Sequence, residues 1–88
     1  MSATFIQLLE KGLQNTNYDK RYSRNMDINL CTFFWSCKNK VIVDVLIDEM
    51  ECCVTSGEIN NIYVFYDDDL QVVADDVIHV VKKQLIDR

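Results

Sequence analysis

Apolar and polar residues alternate most regularly over residues 31–47, CTFFWSCKNKVIVDVLI. Odd positions carry Cys31, Phe33, Trp35 and Cys37, then Val41, Val43, Val45 and Ile47. Side chains alternate between the two faces of a strand, so this spacing predicts a β-hairpin with all eight on one face. A three-residue loop of Lys38, Asn39 and Lys40 sets Cys37 against Val41, Trp35 against Val43, Phe33 against Val45 and Cys31 against Ile47. A two-residue loop would shift the register by one and mix the faces. Asn39 suits the loop because Asn tolerates positive φ.

The period changes on either side of this hairpin. Phe5, Ile6, Leu8, Leu9 and Leu13 lie at helical spacing, after Ser2 as a cap, and predict a helix that ends near Asn15. Residues 15–25, NTNYDKRYSRN, are polar and read as a connecting loop. The first strand is expected from about Met26 to Cys37, and the second from Val41 to Ile47. At Asp48 and Glu49 the alternation changes phase, and Met50, Cys52 and Val54 become the apolar set. A tight turn there gives a separate strand and four strands in all; a bulge gives three. Thr55-Ser56-Gly57-Glu58 is a hairpin turn signal. It leads into a strand from Ile59 to Tyr66 that is apolar on both faces, as expected of a central or doubly covered strand. Asp67, Asp68 and Asp69 then open a second helix, with Leu70, Val73, Ala74, Val77, Ile78, Val81 and Leu85 as its apolar stripe. Val72 falls off that stripe.

These elements give one domain over residues 1–88. Its fold class is α+β: an antiparallel sheet of three to four strands flanked by an N-terminal and a C-terminal helix. Both helices are expected on one face, burying Trp35. The order helix, strands, helix is similar to that of double-stranded-RNA-binding domains and of the small signal-recognition-particle Alu-domain proteins. The resemblance lies in the order of elements. Where double-stranded-RNA-binding domains start the last helix with basic residues, this chain has Asp67, Asp68 and Asp69.

Charge narrows the function classes. Fourteen acidic and nine basic residues give a net charge of −5, which disfavours a phosphate-binding surface and favours basic protein partners. The basic-leaning segment Tyr18, Lys20, Arg21, Tyr22 and Arg24 interleaves aromatic and cationic side chains as single-stranded nucleic-acid binders do. Asp19 within it and the acidic chain around it argue against direct nucleic-acid binding. No apolar run reaches membrane-spanning length, and the N-terminus lacks a signal-peptide pattern. A cytoplasmic protein, in its own or a host cell, is the expectation. An Asn-, Ile- and Asp-rich chain without Pro suits an AT-rich genome such as that of many phages.

Catalytic signatures are missing from the sequence. Cys31, Cys37, Cys52 and Cys53 form no CxxC pair and read as reduced thiols. His79 has Asp75 and Asp76 one turn away but no nucleophile placed with it. Gly12 and Gly57 stand alone, so no glycine-rich phosphate loop exists, and no metal or cofactor is expected. Two features remain. Asp44, Asp48, Glu49, Glu51, Asp67, Asp68 and Asp69 form acidic groups that could imitate successive phosphates, as in the phage and bacterial DNA-mimic inhibitors that the chain resembles in organisation. Phe34, Ile42 and Leu46 make the outer face of the hairpin partly apolar, as at an interface. The expected function is that of a small acidic, non-enzymatic inhibitor or adaptor that uses these ten residues against a basic or nucleic-acid-binding protein. The alternative is a structural subunit or a homodimer through the apolar sheet face.

Overall fold

The computed structural model describes residues 2–25, 28–37, 40–48, 50–66 and 69–86. The chain runs α1 (Ser2–Gly12), β1 (Asp19–Asn25), β2 (Ile28–Cys37), β3 (Lys40–Ile47), β4 (Glu51–Ser56), β5 (Ile59–Val64) and α2 (Leu70–Ile86). The strands form one antiparallel sheet in the order β1-β2-β3-β4-β5, each paired with its neighbour in sequence. This is the expected α+β organisation with one strand more. The additional strand is β1, DKRYSRN, drawn from the stretch that reads as a loop. Its polarity fits an edge strand, where one long side of the backbone lacks a partner and charged side chains are tolerated.

The central hairpin keeps the expected core register by a different route. Trp35 pairs with Val43, Phe33 with Val45 and Cys31 with Ile47. Cys37, however, pairs with Lys40 and Ser36 with Val41, so two residues rather than three separate the strands. A register shift between Trp35 and Ser36 absorbs the difference. A bulge of this kind adds one residue to one strand, which cancels the slip that a two-residue connection imposes. Two expectations fail as a result: Cys37 and Val41 are exposed instead of buried. Lys38 and Asn39 lie outside the described residues.

The phase change after Ile47 is a turn, and β4 is a separate strand. The Asp48 amide donates to the Glu51 carbonyl at 2.9 Å, which closes it. Cys52 and Val54 are fully buried as expected, whereas Met50 sits in the turn and is exposed. The next turn, Gly57-Glu58, has positive φ (59°) at Gly57 only among its two central residues, the pattern of a type II′ hairpin. It delivers β5 to the outer edge of the sheet, so this strand is neither central nor covered on both sides.

Both helices lie on one face. α1 contributes Phe5, Ile6 and Leu9, the turn after it Leu13, and α2 Leu70, Ala74, Val77 and Val81. They meet Cys31, Phe33, Trp35, Val43, Val45, Ile47, Cys52 and Val54 in a single core. α1 ends at Gly12, and the turn after it carries a left-handed Asn15 (φ 71°), a conformation that Asn adopts more readily than most residues. Gly12 lets the helices approach closely: a Cβ there would stand 2.1 Å from Ile78 Cδ1 and 2.8 Å from its Cγ1, so the isoleucine side chain would have to shift. Phe65, just past β5, stacks on Phe5 with centroids 4.3 Å apart and an interplanar angle of 4°. The Phe65 amide donates to the Met50 carbonyl at 3.1 Å, holding this segment against the β3–β4 turn. Among the described residues, no helix is long and apolar enough to cross a membrane.

Candidate functional site

Alternation assigns each strand residue to one of two faces. The helix-covered face holds the core side chains together with Ser56, whose hydroxyl donates to the Ile42 carbonyl at 2.5 Å. Among the described residues, the other face has no helix on it. Direct pairing lays its residues out in rows across the strands. Arg21, Thr32, Leu46, Cys53 and Ile62 form one row, and Asp19, Phe34, Asp44, Thr55 and Asn60 the next. Glu51 and Val64 are opposite each other beyond Cys53 and Ile62. Arg21, Thr32, Phe34, Val41, Asp44 and Leu46 line a shallow depression of about 490 Å³ on this open face.

Asp44 is the chemically unusual member. It lies on the middle strand, half-buried, and its Oδ1 is enclosed without a hydrogen-bond partner. Burial pushes its carboxyl above the usual carboxylate range, because taking the charge out of water disfavours the ionised form. Arg21 lines the same depression, but its guanidinium carbon lies 4.8 Å from the Phe34 ring centroid in a cation–π contact. No ion pair joins Arg21 to Asp44. The neighbouring Thr55 hydroxyl donates to the Asp44 carbonyl at 3.4 Å, not to its carboxylate. Two of its lining residues are apolar and exposed, Val41 at 61% and Leu46 at 39%, and farther across the same face Ile62 and Val64 on β5 are exposed as well.

Of the ten residues that the sequence selects, Phe34, Asp44 and Leu46 come together in this depression. Glu51 is on the same face at the far end of β4. Asp48 is half-buried in the β3–β4 turn. Ile42 is a correction, because it packs against the core, while Val41 lines the open depression in its place. The bulge beside them explains the exchange, since it breaks strict alternation at that point. Asp69 is exposed immediately before α2, on the helix-bearing side, as are Asp75 and Asp76 on α2 itself. Glu49, Asp67 and Asp68 lie outside the described residues. The described carboxylates are therefore divided between the two sides of the domain instead of forming a single phosphate-like array.

The aromatic and basic residues of β1, and Tyr18 just before it, are likewise distributed. Tyr18 packs on Phe33 and Trp35, with centroids 5.2 and 5.6 Å away. Lys20 pairs with Glu10 of α1 and lies 5.3 Å from the Tyr22 ring centroid. Arg21 projects to the opposite face. No shared stacking platform results. The thiols are similarly divided: burial pushes Cys52 up to about 12 and raises Cys31, so both stay protonated in the core. Cys53 faces the open side, its thiol 3.3 Å from Asn60 Oδ1. His79 is exposed on α2. Among the described residues, no three His, Cys, Asp or Glu side chains gather closely enough to hold a metal ion.

Sequence reasoning misses Arg21, Thr32, Val41, Ile62 and Val64. Arg21 and Thr32 become neighbours only because residues 19–25 form a strand. Ile62 and Val64 read as buried because both faces of β5 are apolar. The usable signal was the second helix count: two helices of 11 and 17 residues cover one face of a sheet, not two. Comparison with protein-family models, curated proteins and solved structures gives no match to this chain.

Proposed function

We propose that this chain is a non-enzymatic protein-binding module. Its docking surface is the open sheet face, and its partner presents a Lys or Arg within an apolar surface. The observation that carries this reading is the half-buried Asp44 carboxylate with its unpartnered Oδ1, set among Phe34, Val41 and Leu46. An unpaired carboxylate on an apolar surface costs free energy in the isolated protein. A partner ammonium or guanidinium removes that cost through a charge-assisted hydrogen bond. The surrounding apolar side chains exclude water from the pair, the arrangement that concentrates affinity in a few central residues. The net charge of −5 supports a basic partner by accelerating encounter.

The test compares partners captured from the native cell by the wild-type chain, by Leu46→Lys and by Asp75→Asn/Asp76→Asn. A partner bound directly through the open face is retained by the wild type and by the α2 variant and lost with Leu46→Lys. Asp44→Asn weakens it by at least about tenfold. A partner that Leu46→Lys retains, or that the α2 variant loses, overturns this assignment of the surface.

A further inference from the structure

The two edges of the sheet are built differently. β1 carries Asp19, Lys20, Arg21 and Arg24 in seven residues, the kind of charged edge that discourages further strand pairing. β5, Ile59-Asn60-Asn61-Ile62-Tyr63-Val64, has no charge, Pro or Gly, and it pairs with β4 from Glu51–Val64 to Ser56–Ile59 without interruption. None of the devices that blunt an edge is present along it. We propose that the chain forms a twofold dimer in which β5 pairs antiparallel with β5 of a second copy, extending the sheet from five strands to ten.

The hairpin turn determines which backbone groups are available. With two residues in the turn, Ser56 and Ile59 form a hydrogen-bonded pair, and such pairs alternate along an antiparallel ladder. Asn61 and Tyr63 therefore direct their N–H and C=O groups toward β4, and Asn60, Ile62 and Val64 direct theirs outward. A twofold axis at Ile62 sets Ile62 opposite its own copy and Asn60 opposite the second copy's Val64. Every outward group of the three residues then has a partner. The occupant is a second copy because of charge: a chain of net −5 opposes its own approach over most of its surface, whereas β5 brings no charged side chain to the contact. A basic partner finds no carboxylate on β5. Pairing also sets the exposed Ile62 beside its counterpart, so the apolar row Leu46, Cys53, Ile62 runs on into the second copy. The dimer leaves the open face free and goes beyond the docking role proposed for it.

Sedimentation equilibrium on the full chain tests the proposal. The wild type is expected to approach twice the 10.3 kDa chain mass with rising concentration. Asn60→Pro removes one outward N–H while sparing the β4 ladder, and Ile62→Lys places like charges opposite each other. Each raises the dimer Kd by about tenfold or more, and Leu46→Ser leaves it unchanged. Circular dichroism checks that the variants fold. The wild type supplies a readout that needs no variant. In a mixture of isotope-labelled and unlabelled chains, an intermolecular NOE links the α-protons of Asn61 and Tyr63, and amide protection at Ile62 falls on dilution. A wild type that stays monomeric at millimolar concentration overturns the proposal. So does a dimer that folded Asn60→Pro and Ile62→Lys retain, one that Leu46→Ser abolishes, or a dimer without that NOE.

Discussion

The two faces of the sheet are made from similar residues and end in opposite circumstances. On β2, Phe33 is fully buried and Phe34, one residue later, is half-buried on the open side. On β3, Val45 is in the core and Leu46 is exposed. What separates them is cover. α1 and α2 pack on each other and on one face, and among the described residues no helix lies on the second. An apolar side chain on the covered face contributes to folding, whereas its neighbour on the open face is left to contribute to association.

That contrast can be broken most forcefully by truncating adjacent phenylalanines. Phe33→Ala is expected to cost about 3–5 kcal/mol, since it leaves a cavity in a fully buried site. In a chain of 88 residues this removes much of the stability. Phe34→Ala should cost well under half as much, because solvent already reaches its ring. Denaturant unfolding of the two variants measures the difference, and equal losses would show that the open face also serves folding.

The cover can be tested separately. Gly12→Ala drives a methyl group into Ile78 and is expected to cost about 1–3 kcal/mol in thermal or denaturant unfolding. Adding Ile78→Val should recover part of that loss, because it removes Cδ1, the atom nearest the new methyl group, while Cγ1 stays close. Additive losses would mean that the α1–α2 contact is looser than the geometry indicates.

The smallest effect, and the one that sharpens the comparison most, concerns pH. Burial raises the Asp44 carboxyl, so the folded state holds this proton more tightly than the unfolded chain. The favourable contribution is fully present below the unfolded value of about 3.8 and is lost as pH rises through the elevated folded value. Asp44→Asn should therefore be modestly stabilising at neutral pH while weakening partner binding. The stability gain should shrink as pH falls toward that unfolded value. A gain that grows on acidification would contradict the sign.

The period of the apolar residues made most of this fold legible. Phe33, Trp35, Val43, Val45 and Ile47 are core residues because side-chain period and hairpin register agree. Asn15 marks the turn after the first helix by local backbone chemistry. β1 was not legible, because DKRYSRN has no apolar alternation and is held as a strand by its pairing with β2. The bulge after Trp35 was hidden for a related reason: a three-residue loop and a two-residue loop plus a bulge give the same core partners. Val41 and Ile42 exchange roles as a consequence. For the candidate site, the apolar outer face of the central hairpin and the place of Asp44 on it were readable. The neighbours of Asp44 across the sheet were not, since Arg21 reaches that depression only through the register of β1.

The meander order carries a consequence for the folding reaction itself. Every strand pairs with the strand next to it in sequence, so the sheet is assembled from four hairpins with short loop closures. Such local pairing favours rapid folding. The α1–α2 packing and the Phe5–Phe65 stack instead join opposite ends of the chain. Docking of α1 against α2 and Phe65 closes most of the chain into one loop, which costs more entropy than closing any of the hairpins. The hairpins therefore supply the early nucleus and α1 arrives late: destabilising changes in α1 should accelerate unfolding, while those in the β2–β3 hairpin should slow folding.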